Sequence, residues 1–192
     1  MMSRALSATL SFPTRCWNRF NISRRLNVMR ILGVDPGTVA MGYGVVDSHG
    51  GETTLVDYGV LSAKARSPIG ERLSLLYEGL VEVIVKNKPD ALAVEQPFVS
   101  RNVKSALAIG RAQALAILAA AQREIPTFEY TPAQVKQQVA SYGTASKEQV
   151  QEMVRIQLGL VHSPESTDAA DALAVALCHI GEVHVQELIG GQ

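Results

Sequence analysis

The chain has 192 residues, 47% hydrophobic and 19% charged, an ordinary balance for one soluble globular domain with a proper core. Its formal net charge of zero hides an asymmetry: residues 1–28 hold five Arg and no acid, so the remainder has 13 basic against 18 acidic residues, a net of −5. That excludes a protein that coats nucleic acid indiscriminately, so contact with a polyanion would need a few well-placed cations. No continuous apolar run approaches the roughly 18 residues that span a membrane. Cys16 and Cys178 lack metal-ligand spacing, which fits a reducing compartment.

Residues 1–28 (Arg4, Arg15, Arg19, Arg24, Arg25) lack hydrophobic periodicity and a secretory h-region. They read as a leader outside the fold: a disordered segment, a transit peptide, or sequence upstream of a true start at Met29. Ordered patterning begins at Met29. Residues 30–35, 42–47 and 53–61 are strand-like runs separated by turn residues, predicting an antiparallel meander. Apolar positions at Leu73, Leu76, Leu80, Val83 and Ile84 predict a helix over 69–86. A strand over 91–95 follows, then a helix over 102–123. That helix is apolar nearly all round (Ala106, Leu107, Ile109, Ala112, Leu115, Ile117, Leu118, Ala119), whereas a helix on one side of a sheet needs a single stripe. The surplus calls for a second cover, either an isologous dimer or a later helix of the same chain.

Residues 124–130 read as another strand, and Thr131-Pro132 opens a helix carrying Lys136. After a loop at 141–144, Ser146 caps a helix reaching Leu158. The last helix opens near Asp168, and the domain is taken to end at residue 182, leaving 183–192 as a C-terminal tail. The order β-β-β-α-β-α-β-α-α predicts an α/β fold, a five-stranded mixed sheet flanked by helices, with its site at the strand ends.

The chemistry gathers on four acids. A short apolar strand ends on Asp35, where Pro36 and Gly37 break the chain; another ends on Glu95, before Gln96-Pro97. Asp168 and Asp171, three apart, share one face of the last helix. Four carboxylates on three rigid elements are costly to assemble unless a cation holds them. All-oxygen ligands with open positions suit Mg²⁺ or Mn²⁺ and in-line attack of water on a phosphodiester.

Residues 29–37 (MRILGVDPG), 94–98 (VEQPF) and 168–174 (DAADALA) together resemble the RuvC Holliday-junction resolvases, colinearly over residues 29–179. The resemblance implies a ribonuclease H-like domain over 29–182, a homodimer, and a Mg²⁺-dependent endodeoxyribonuclease of recombination and DNA repair. Such an enzyme makes two symmetric cuts across a four-way junction. It carries Asp35, Glu95, Asp168 and Asp171 over as catalytic and metal-binding acids, with two Mg²⁺ per site and Mn²⁺ as a substitute. Asp35 would be central, Glu95 and Asp171 flanking it, with Asp168 the remaining ligand or the orienter of water. Phe98 matches the junction-contacting aromatic, and stacking on an exposed base is the use for a ring there. Arg101, Lys104 and Arg111 fall in one helical sector as further DNA contacts, and Lys136 and Lys147 match lysines near the scissile phosphates. A branch-migration helicase complex is an implied partner, and the bacterial cytoplasm the implied location, with organellar import through the leader as the alternative.

Three other readings fit parts of the pattern. An actin-type ATPase or sugar kinase shares the Gly33–Thr38 turn, but needs a longer chain and a second phosphate turn. A non-catalytic junction scaffold and a nuclease of RNA–DNA hybrids are the others.

Overall fold

A computed structural model describes residues 28–97 and 103–190. Three strands, β1 (Met29–Asp35), β2 (Ala40–His49) and β3 (Glu52–Ser62), precede α1 (Ile69–Asn87), β4 (Ala91–Glu95) and α2 (Val103–Ala121). Then come β5 (Thr127–Tyr130), α3 (Pro132–Ala140), α4 (Lys147–Gln157) and α5 (Thr167–Gly190). The sheet order is β3-β2-β1-β4-β5, with β1 antiparallel to β2 and parallel to β4, and β4 parallel to β5. This is the expected mixed sheet with an antiparallel meander.

Side chains alternate across a strand, so each strand feeds two cores. Leu32, Val34, Met41, Val45, Leu92 and Val94 pack with α1 and α2; Ile31, Val46, Ala91 and Ala93 pack with α3, α4 and α5. Asp35 continues the parity of Ile31, and Glu95 that of Ala91 and Ala93. Both acids therefore end their strands on the α5 face. At the opposite end of β1, Arg30 grips Asp47 of β2 with Nε and Nη2 at 2.7 and 2.8 Å. Its Nη1 donates to the Asn87 carbonyl, and its backbone N–H to Asp90. These bonds tie the meander to the α1–β4 crossover and hold the register that aligns the two acid-bearing ends.

Helix α5 is the hub, touching all five strands together with α3 and α4. It can lie so close because β1 and β2 present glycines beneath it. A Cβ on Gly33 would come within 2.1 Å of the Ala172 carbonyl oxygen, and one on Gly42 within 1.9 Å of the Asp168 carbonyl oxygen. Gly44, paired with Gly33 across the ladder, lies under Leu173. Next to this contact, His179 and Tyr130 share a buried hydrogen bond of 2.6 Å, and the Phe128 ring packs on the imidazole.

Two expectations change. α5 continues to Gly190, taking in residues 183–190 that read as a tail. Most of that overhang is solvent-exposed, so burial left no periodic signal there, although His184 still meets Ser48 at 3.3 Å. Also, α2 and α5 are each long and apolar enough to cross a membrane by length and composition, contrary to the run-length reading. In α5 the apolar residues face the sheet and its covering helices. The later helices lie on the other side of the sheet from α2, which packs on α1, β4 and β5. Val103, Leu107 and Leu118 are left exposed along its outer side.

Candidate active site

Asp35 lies opposite Gly42 in the β1–β2 ladder, and Gly42 lies against the Asp168 backbone. The seat that brings α5 onto the sheet thus delivers its first turn to the end of β1. Glu95 ends β4, the strand parallel to β1. The electrostatics follow from this crowding. Burial, then Asp171 and Asp168, raise the Asp35 carboxyl from 3.8 to about 7, against an opposing pull from Lys147. Burial, then Asp35 and Asp171, raise Glu95 from 4.5 to about 7, opposed by Lys147 and Lys136. Asp171 is also raised, by burial and by Asp168, against the lowering effect of its bond to Lys147. Asp35 thus feels both Asp168 and Asp171, and Glu95 feels Asp35 and Asp171, so the strand ends and the first turn of α5 share one negatively charged region.

One cation already answers that charge. Lys147 Nζ lies 2.5 Å from Asp171 Oδ2. Lys147 is the first residue of α4, whose N-cap Ser146 forms a capping box with Gln149. A lysine there faces the positive end of the helix dipole, an unfavourable placement that its carboxylate partner offsets. Lys136, on α3, acts electrostatically on Glu95. Lys104 and Arg111 are exposed on α2, in the opposite layer from α5. Phe98 and Arg101 lie outside the described residues.

An all-carboxylate donor set with two acids held near 7 fits a hard divalent cation better than a soft one. Among the described residues, however, no three acid side chains converge closely enough to hold one ion as they stand. Asp171 is turned to Lys147. The glycine seat, Gly33, Gly42 and Gly44, escaped the sequence reading; the period-two Gly42-x-Gly44 pair, matched with Gly33 one strand away, was its only trace.

A family model described as crossover junction endodeoxyribonuclease RuvC matches residues 31–179. A protein of that description from Dehalococcoides mccartyi is 56% identical over 151 residues, covering 79% of this chain and 90% of its own length. Another from Desulfitobacterium hafniense is 46% identical over 163 residues, covering 85% and 99%. Among solved structures, Thermus thermophilus RuvC in complex with a Holliday junction substrate superposes with a TM-score of 0.77 at 36% identity, covering 82% of this chain and 96% of that one.

Proposed function

This chain belongs to the RuvC family of crossover junction endodeoxyribonucleases, and from that membership and its acid-lined strand ends we infer a nuclease that resolves four-way DNA junctions. It does so by paired, symmetric, metal-dependent hydrolysis of phosphodiesters, leaving ligatable nicks for recombination and repair. The observation that carries this reading is that β1 and β4, parallel neighbours, end on Asp35 and Glu95 on the side of the sheet covered by α5, where burial first, and then Asp171 and Asp168, raise the pKa of Asp35 to about 7.

We propose those four acids as the catalytic set and as ligands for two Mg²⁺, with Mn²⁺ as a substitute. When bound, the cations stabilise the attacking and leaving oxygens of the displacement. The chain's own groups do the rest. In this reading Asp35 is central among the acids with Glu95 and Asp171 flanking it, and Asp168 is the remaining ligand or orients the attacking water. Lys147 and Lys136 meet the phosphate backbone with point charges beside the acids and stabilise developing negative charge. Phe98, Arg101, Lys104 and Arg111 are the further DNA contacts of this reading.

Two symmetric cuts call for two sites related by a two-fold axis. The exposed apolar side of α2, with Val103, Leu107 and Leu118, supports a homodimer packed there. A branch-migration helicase complex is the remaining partner proposed, and the bacterial source of the relatives supports a cytoplasmic location.

The test is cleavage of a synthetic mobile four-way junction with Mg²⁺, followed by ligation. Symmetric nicks that reseal are expected from the native protein, and Asp35→Asn should bind the junction without cutting it. Cleavage by that variant would remove Asp35 from the mechanism, and preference for an RNA–DNA hybrid over the junction would overturn the substrate.

A further inference from the structure

The loop between α3 and α4 carries the most exposed aromatic among the described residues, Tyr142, at 67%. The backbone on both sides of it is secured. Gln137 of α3 donates from Nε2 to the Ser141 carbonyl and accepts from the Gly143 N–H at its Oε1, each at 3.1 Å. Ser141 takes a left-handed φ of 63°, and the Ala145 N–H closes a turn on the Tyr142 carbonyl at 3.0 Å. Ala145 is buried in the α5-side core. The loop is rooted at Ala145, clamped by one side chain on either side of Tyr142, and holds an aromatic out into water.

Its place in the molecule says what the ring meets. The loop joins a helix whose Lys136 acts on Glu95 to a helix whose first residue, Lys147, contacts Asp171. The turn keeps Tyr142 within about 14 Å of Lys147 along the chain. At roughly 3.4 Å per nucleotide of duplex strand, that is about four nucleotides from Lys147, whose ammonium meets Asp171. The loop thus connects the two helices whose lysines stand beside the acids. Aromatic rings stack on bases without regard to sequence, because every base has a π-face.

We propose that Tyr142 is a DNA-contacting residue that stacks on a base within about four nucleotides of the scissile phosphate, with Gln137 as the positioning residue that holds the loop. The proposal rests on the junction-nuclease reading and deepens it. Tyr142 acts on strand placement, and the acids and lysines keep the chemistry.

The test uses the full-length protein and four-way junctions carrying 2-aminopurine at each of the four positions either side of the cut. Binding is measured with Ca²⁺, and single-turnover cutting with Mg²⁺. Native protein should quench one or two of these probes. Tyr142→Ala should abolish that quenching and weaken junction binding by roughly tenfold to a hundredfold, the range for one stacked base. Tyr142→Phe should retain both, since stacking needs the ring and not the hydroxyl. Gln137→Ala should give partial quenching with an unchanged melting temperature. Failure of the native protein to cut the junction would sink the nuclease reading itself. Native cutting, with Tyr142→Ala quenching and binding like wild type, would overturn the role of Tyr142 alone. Loss in Tyr142→Phe equal to that in Tyr142→Ala would replace stacking by a hydroxyl contact and overturn it too.

Discussion

Among the described residues, Lys147 and Asp171 form the ion pair in an otherwise acidic corner. Removing the ammonium leaves Asp171 facing Asp168 and Asp35 with no local counter-charge. Lys147→Met should weaken junction cutting by about a hundredfold, in the range expected for loss of a group that stabilises transition-state charge, and should raise the divalent-ion concentration needed for half-maximal rate. Titrating Mg²⁺ in a single-turnover assay checks both. At this scale the sequence was readable where chemistry marks the chain: an apolar run that stops on an acid before a Pro-Gly break announces Asp35. Lys147 carried no such mark. Lysine at a helix start is an ordinary surface residue until the fold sets α4 beside α5, so only family resemblance singled it out.

Between elements, the decisive contact is α5 on the glycines of β1 and β2. Gly42→Ala puts a methyl carbon into the Asp168 backbone, which cannot rotate away as a side chain would. A loss of about 3 kcal/mol in stability is expected, with cutting lost even at temperatures where the variant stays folded. Denaturant melts together with junction cleavage at low temperature separate the two effects. On α2, Leu107→Glu places a charge in the exposed apolar stripe and should convert a dimer to a monomer in sedimentation, abolishing paired cuts while sparing the fold. Element types were legible because burial imposes its period on the sequence. Boundaries failed where burial stops, as in the overhanging turns of α5 and the opening of β5, expected from residue 124 and found from Thr127. The glycine seat was invisible for another reason: it joins residues some 130 positions apart, and no local pattern reports that a helix will lie on a given strand.

For the whole molecule, the acid cluster makes stability depend on pH in an inverted sense. In the unfolded chain Asp35 and Glu95 release their protons near 3.8 and 4.5; in the fold they hold them to about 7. Across that window the unfolded state binds fewer protons, so raising the pH destabilises the native state, with the effect complete above about 7. His179 opposes this below its ordinary 6.5, since burial lowers it to about 4 and stability falls as the pH drops. Comparison with Asp35→Asn cancels the histidine. In EDTA that variant should melt higher than wild type by roughly 5 °C at pH 8 and differ little at pH 4, and Mg²⁺ at pH 8 should narrow the gap. Calorimetry at the two pH values measures it; a gap that widened toward acid would contradict the buried-acid account.

The seating of α5 has one more consequence. The helix that bears half of the acids is also the axle of the hydrophobic interior, so those acids cannot be withdrawn by a hinge or a lid without dismantling the protein. Among the described residues, the elements that bear these acids are fixed by the core itself. Discrimination against ordinary duplex is then expected to fall to the substrate, through whether a strand can be bent deeply enough to reach acids whose backbone stays in place.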